Sequence, residues 1–185
     1  MIAIQLAIQA QRQPERVAVV YGGRRIAYGE LHQRSNRLAH ALAARGVRAG
    51  DRVAALLVNG PEFFDILFGC AKLGAVFVPL NFRLAVAEID RILDACTPCR
   101  LFAGESFRAT LQALQGRPAL PDAVHWIDDG PPKPASTRDH DYERWLAAHE
   151  PSEPARLPDA DAPLMLLHSS GTTGLPKGIV HSHAT

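Results

Sequence analysis

A segment rich in hydroxyl groups, glycine and one lysine lies near the C-terminal end of the sequence. Residues 169–174 read SSGTTG, and Lys177 follows after a leucine and a proline. The hydroxyls donate and accept hydrogen bonds, and the glycines let the main chain approach a ligand closely. Successive backbone N–H groups form an anion-binding concavity, and lysine adds a point charge. The pattern predicts a site for a polyphosphate and a magnesium ion. The candidate binding residues are Ser169, Ser170, Gly171, Thr172, Thr173, Gly174 and Lys177.

Two other interpretations of this segment deserve comparison. Glycine and serine are also typical of a flexible surface turn. However, an apolar run at residues 164–167 leads into the segment, and a buried strand is an unusual support for a mere linker. The Walker phosphate loop requires glycine directly before its lysine and serine or threonine directly after it. Pro176 and Gly178 flank Lys177 instead, so the Walker interpretation is excluded.

Residues 166–178, LLHSSGTTGLPKG, closely resemble the phosphate-loop signature of the AMP-binding, acyl-adenylate-forming superfamily. Residues 25–54 and 63–84 resemble acyl-CoA synthetases within that superfamily. The resemblance covers almost the whole chain. It is strongest over residues 17–104 and 163–185, and it is weak over residues 105–160.

The resemblance implies a two-step reaction that uses ATP, Mg²⁺ and coenzyme A. A carboxylate attacks the α-phosphate of ATP, giving an acyl-adenylate and pyrophosphate, and coenzyme A then takes the acyl group as a thioester. Residues 169–174 would wrap the β- and γ-phosphates. Lys177 would lie near them as a catalytic residue, and His183 falls where such enzymes often carry a histidine. The expected substrate is a small carboxylic acid, of the fatty or aryl type, within lipid metabolism.

The superfamily's proteins are several-fold longer than this chain. Their adenine, ribose and magnesium contacts and their mobile C-terminal domain lie beyond the phosphate loop. We therefore expect residues 1–185 to be the N-terminal portion of an AMP-binding domain, inactive and weak in ATP binding on its own. The alternative is a truncated, non-catalytic remnant that keeps only the phosphate-binding loop.

Helical and strand-like segments alternate between residues 52 and 127. This order predicts an α/β fold with a mainly parallel sheet and flanking helices. Strands are expected near residues 53–58, 76–79, 100–103 and 124–127, with an antiparallel hairpin over residues 17–27. The predicted core residues are Leu56, Leu57, Phe64, Leu67, Val76, Val78, Ile92 and Leu166.

Charge and composition argue against nucleic-acid binding, a membrane span and a signal peptide. The formal net charge of +1 creates no field that would select nucleic acid. No apolar run has membrane-spanning length, and the N-terminus lacks the basic region of a signal peptide. We expect a soluble cytoplasmic protein without a nucleic-acid partner.

No metal site is expected from the cysteines or histidines. Cys96 and Cys99 form a CxxC pair, but a helix precedes the pair and a strand follows it, the reverse of a redox motif. No second CxxC pair exists to complete a zinc site. His181 and His183 would share a strand face, and nothing in the spacing demands His168 as a third ligand.

Overall fold

The computed structural model describes residues 1–118, 120–121, 124–129, 140–155, 157–169 and 177–184. The helices are α1 (Ile2–Arg12), α2 (Tyr28–Ala44), α3 (Pro61–Leu73), α4 (Val86–Cys96), α5 (Arg108–Ala113, preceded by a 3₁₀ turn) and α6 (His140–Ala147). The strands are β1 (Val17–Tyr21), β2 (Arg24–Ala27), β3 (Arg52–Leu56), β4 (Val76–Pro79), β5 (Arg100–Gly104), β6 (Val124–Ile127), β7 (Pro163–Ser169) and β8 (Lys177–Ser182).

The main sheet has six strands in the order β6-β5-β3-β4-β7-β8. The pairs among the first five are all parallel, and β8 runs antiparallel to β7. A separate antiparallel pair, β1 and β2, forms the N-terminal hairpin. The predicted α/β fold, the mainly parallel sheet and the antiparallel hairpin are confirmed. Each parallel connection within β3–β6 contains a helix, as the alternation in the sequence predicts.

Helices cover both faces of the sheet, and alternate residues of β3 show how the two layers arise. Val53 and Ala55 point into a core shared with α2, α3 and α6. Ala54 and Leu56 point the other way, into a core shared with α4 and α5. All four strand residues are at most 2% exposed. The strand reads as continuously apolar because both of its faces are buried.

Most of the predicted core residues are buried, and one prediction is wrong. Leu56, Leu57, Val76, Val78 and Ile92 are buried. Two further predicted core residues, Leu67 and Leu166, are half-buried. Leu67 packs against one core and Leu166 against the other.

Phe64 is 37% exposed, because α3 is rotated relative to our prediction. Its inner face carries Ile66, Gly69 and Cys70. A Cβ atom on Gly69 would lie 2.8 Å from Leu38 on α2, so the missing side chain permits close approach of the two helices. This contact fixes which side of α3 faces the sheet.

A buried ionic cluster joins α2, α3 and α6. The Arg34 guanidinium lies 2.7 Å from Asp65 Oδ2 and 2.8 Å from Glu143 Oε2. The Tyr142 hydroxyl donates to Asp65 over 3.3 Å. The Asp65 side chain is only 1% exposed, so its charge depends on these partners. The cluster ties three helices together on one face of the sheet.

Residues 148–153, which we call the strap, run from the end of α6 along α2. The Asn36 amide donates to the Pro151 carbonyl over 2.7 Å, and His40 Nε2 lies 3.0 Å from the Ser152 carbonyl oxygen. Arg37 donates to the carbonyls of Ala147 and His149. Side chains on one face of α2 therefore satisfy the backbone of a segment that has no regular structure.

The three cysteines are free. Cys96 ends α4 and is buried, and burial raises the pKa of its thiol to about 11. Cys99 precedes β5, and burial raises its pKa as well. Both thiols are thereby disfavoured as nucleophiles at neutral pH.

Candidate phosphate-binding site

Strands β7 and β8 form the framework of the candidate site. Their antiparallel register pairs Ser169 with Lys177, and His168 with Gly178. The predicted residues Ser170, Gly171, Thr172, Thr173 and Gly174 lie outside the described residues. Ser169 and Lys177, at the two ends of the connecting segment, are described, and they are paired directly across the two strands.

Ser169 lies at the carboxyl end of β7, which runs parallel to β4. In open α/β sheets, ligands bind in crevices outside the carboxyl ends of the strands. Ser169 and Lys177 are both exposed. Within the described part of the chain, Lys177 forms no salt bridge, so its ammonium group is available for an external anion.

Gly178 has no side chain, and this lets β8 pack closely against side chains of β7 next to the site. A Cβ atom at this position would lie 3.0 Å from Leu166 Cδ1 and 3.5 Å from His168 Nε2. A larger residue would therefore press on the Leu166 side chain and come into ordinary contact with His168. The sequence prediction assigned Gly178 to close approach of the main chain to a ligand and used it against a Walker loop, but it missed this packing role.

His183 lies at the opposite end of β8 from Lys177. Its backbone N–H donates to the Ala162 carbonyl over 3.1 Å, next to the start of β7. Six residues of extended chain place the two backbones about 20 Å apart. The structure thus brings Ser169 and Lys177 together but does not bring His183 to them.

The His183 ring is 3% exposed, and neither ring nitrogen has a hydrogen-bond partner among the described residues. Burial, with the N-terminal ammonium group nearby, lowers its pKa below the ordinary value. The ring is therefore buried and neutral at pH 7. A catalytic role for His183 stays a prediction.

Within the described ranges, no three of the His, Cys, Asp and Glu side chains are grouped as a metal site. The framework offers a hydroxyl and an ammonium group, which suit phosphate oxygens rather than a cation.

Comparison with known proteins identifies the family of the chain. A family model described as AMP-binding enzyme matches residues 6–185. The chain belongs to the AMP-binding enzyme family.

Several curated proteins of this kind share more than a third of their aligned residues with the chain. A fatty acid–[acyl-carrier-protein] ligase, ScoC from Streptomyces coeruleorubidus, is 38% identical over 178 residues, which are 96% of this chain and 32% of that protein. An indoleacetate–CoA ligase from Aromatoleum aromaticum is 39% identical over 92% of this chain and 32% of its own length. The chain therefore spans about a third of the length of these relatives.

Solved structures of AMP-binding enzymes have the same fold. The inhibitor-bound N-terminal domain of FACL13 from Mycobacterium tuberculosis aligns with a TM-score of 0.85 at 32% identity, over 98% of this chain and 44% of that one. The anthranilate CoA ligase AuaEII, in complex with anthranoyl-AMP, aligns with a TM-score of 0.87 at 25% identity, over 98% of this chain and 34% of that one.

The helices that the structure describes include none with both the length and the apolar character needed to cross a bilayer.

Proposed function

We propose that this chain is the N-terminal portion of an AMP-binding domain in an ATP-dependent acid–thiol ligase. The reaction joins a carboxylic acid to the α-phosphate of ATP, releases pyrophosphate, and passes the acyl group to a thiol. The observation that carries the proposal is the register of β7 and β8. It sets Ser169 and Lys177 opposite each other at the ends of the segment that matches the phosphate-loop signature.

In this proposal the ATP polyphosphate, with its Mg²⁺, lies against residues 169–174. Lys177 places a compact positive charge beside the β- and γ-phosphates. The charge of the departing pyrophosphate grows as the bond to the α-phosphate breaks, and a positioned ammonium group stabilises that charge. The hydroxyls and backbone N–H groups of the segment supply the remaining donors.

The relatives support a carboxylic acid with an apolar body as the substrate. These relatives include fatty-acid, indoleacetate and 3-hydroxybenzoate ligases. Coenzyme A is the proposed thiol, since most of these names specify a CoA ligase. The carrier-protein ligase offers the second acceptor, a protein-bound thiol.

The decisive test is ATP–pyrophosphate exchange with and without Lys177, in the longest polypeptide that the gene encodes. Lys177→Ala should reduce exchange by about 2–4 kcal/mol of transition-state stabilisation, as for other removed electrostatic groups. Its effect on the free energy of unfolding should stay within about 0.5 kcal/mol, because the residue is exposed. Arg25→Ala, which removes one exposed positive charge on β2, is the matched control and should leave exchange unchanged.

The 185-residue chain provides a second test by titration with magnesium tripolyphosphate and with MgATP. Tripolyphosphate should shift the backbone NMR signals of Ser169 and Lys177 at millimolar concentration, and MgATP should bind no more tightly. Full exchange activity in Lys177→Ala would refute the role of the lysine. Micromolar MgATP binding by the chain alone would place the nucleotide site elsewhere. Exchange absent from the longest polypeptide, together with normal tripolyphosphate binding, would favour the non-catalytic remnant.

A further inference from the structure

A cleft of about 490 Å³ lies between α1, the beginning of α2 and the strap. Ile4, Ala7 and Ile8 of α1 line one wall. His32 of α2 and Glu153 of the strap contribute polar groups. The volume falls within the range of about 300–1,000 Å³ that is typical of small-molecule sites. None of the residues described as lining the cleft belongs to β7 or β8.

A fully buried lysine organises the polar side of the cleft. Lys72 of α3 is 0% exposed, and its Nζ lies 3.1 Å from Glu153 Oε1 and 3.2 Å from His32 Nδ1. An ammonium group only donates hydrogen bonds, so Nδ1 of His32 must accept. The ring proton of neutral His32 therefore sits on Nε2. Burial and the Lys72 charge lower the pKa of His32, which keeps the ring in this neutral form at pH 7.

The same contacts leave a matched donor and acceptor for a ligand. His32 lines the cleft, and its N–H donor is on Nε2, the ring nitrogen that does not face Lys72. Glu153 keeps further acceptor capacity after Oε1 has taken the hydrogen bond from Lys72, and its side chain is 40% exposed. The Lys72 ammonium already balances the Glu153 carboxylate, so what selects the ligand head is hydrogen bonding. A ligand carboxylate would accept from His32 but would have no proton to donate to Glu153. A carboxamide carries both an acceptor oxygen and donor N–H groups without charge.

We propose that this cleft binds a small uncharged molecule with an apolar body and a carboxamide head. The body packs on Ile4, Ala7 and Ile8, while the head accepts from His32 Nε2 and donates to Glu153. The site extends beyond the proposed ligase activity and does not rest on it, because it involves neither Ser169 nor Lys177.

The test compares two probes of nearly equal shape, 4-fluorobenzamide and 4-fluorobenzoate, by ¹⁹F NMR on the 185-residue chain at pH 7.5. The amide should bind and shift the backbone signals of Ala7 and His32. The benzoate should bind to the cleft at least about tenfold more weakly, a difference of about 1.4 kcal/mol. Amide binding that is absent, or no stronger than benzoate binding at these signals, would overturn the proposal.

Two variants locate the probe. Ala7→Trp fills the apolar side of the cleft and should abolish amide binding, whereas Ala44→Trp, at the exposed last residue of α2, should leave it unchanged. His32→Phe removes the donor and should weaken amide binding about three- to tenfold, the usual effect of one lost hydrogen bond.

Circular dichroism shows whether each variant keeps its native structure, and His32→Phe decides the outcome if Ala7→Trp unfolds. Unchanged amide affinity in a folded Ala7→Trp, or in a folded His32→Phe, would place the probe elsewhere.

Discussion

The parallel part of the sheet and the β7–β8 hairpin are held in different ways. β3 pairs with both β4 and β5 over four residues each, and helices cover both of its faces. β7 meets β4 through a single registered pair, Phe77 with Met165. On β8, Ile179 and Val180 are 49% and 61% exposed.

The parallel strands β3, β4 and β5 thus form a well-packed region, whereas β7 and β8, which carry the candidate site, are less well packed. Buried parallel strands with many contacts open only in global unfolding, whereas sparsely packed edges open locally at lower free energy. We therefore expect the hairpin to be the first part of the sheet to exchange its amide hydrogens. Mutations in the two regions should differ accordingly, and four predictions follow in order of decreasing effect.

Asp65→Ala should destabilise the packed region most strongly. It would leave the Arg34 guanidinium, at 9% exposure, without its closest counter-charge. Breaking such a buried pair typically costs about 3–5 kcal/mol, measured by denaturant unfolding. Glu143→Ala removes the more exposed partner of the same arginine and should cost clearly less. Equal costs would show that Asp65 is not the central charge of the cluster.

Ile66→Ala should cost about 2–5 kcal/mol, because it creates a cavity between α3 and the sheet. Leu67→Ala, one position along the same helix, should cost less because Leu67 is only partly buried. Val180→Ala on the hairpin should change the free energy of unfolding by no more than about 0.5 kcal/mol. A larger loss for Leu67 than for Ile66 would contradict the rotation of α3 that the structure shows.

Acid should weaken the packed region through His125. The ring stacks between Phe102 and Trp145, and burial, with Arg45 and Arg100 nearby, lowers its pKa to about 4. The folded protein thus favours the neutral ring. The resulting stability is complete above about pH 6.5 and is lost as the pH falls towards 4.

We expect this loss to amount to about 1–2 kcal/mol, allowing for partial exposure of the ring. Denaturant unfolding between pH 7 and pH 4 measures it. His125→Phe preserves the stack and should reduce the pH dependence, while His149→Phe, at the edge of the same tryptophan, should leave it intact. An unchanged slope in His125→Phe would assign the whole effect to other histidines whose pKa burial lowers, such as His32 and His183.

The exposed edge of β8 should make the isolated chain associate as its concentration rises. An unpaired edge strand with apolar side chains invites pairing between chains. Val180→Lys should reduce this association, measured by light scattering after size-exclusion chromatography, with little change in stability. A wild-type chain that stays monomeric, with a sharp and concentration-independent thermal transition, would refute the prediction.

The parallel direction of β3 to β6 could be predicted because strands and helices alternate with clear periodicity over these strands. The position of β7 next to β4 could not, since the segment between β6 and β7 carries little pattern. The exposure of Phe64 was missed because the apolar run of α3 surrounds Asp65. The helical face is set by Gly69 against Leu38 and by the partner of Asp65 on α2, both distant in sequence.

For the candidate site, the residue types predicted Ser169 and Lys177, and the structure adds that they face each other across the ladder. The separation of His183 from Lys177 follows from the extended conformation of β8, which places the two residues at opposite ends of one strand.

The contacts of α2 with α6 and the strap also affect the order in which the chain can fold during its synthesis. Arg34 and Glu143 are 109 residues apart, and Asn36 and Pro151 are 115 apart. At typical rates of translation, α2 emerges roughly 5–20 s before these partners exist. Arg34 can pair with Asp65 much earlier, since only 31 residues separate them. In a nascent chain, α2 would then pack on α3 first, and α6 and the strap would bind to α2 last. Until then, the polar face of α2 would be hydrated.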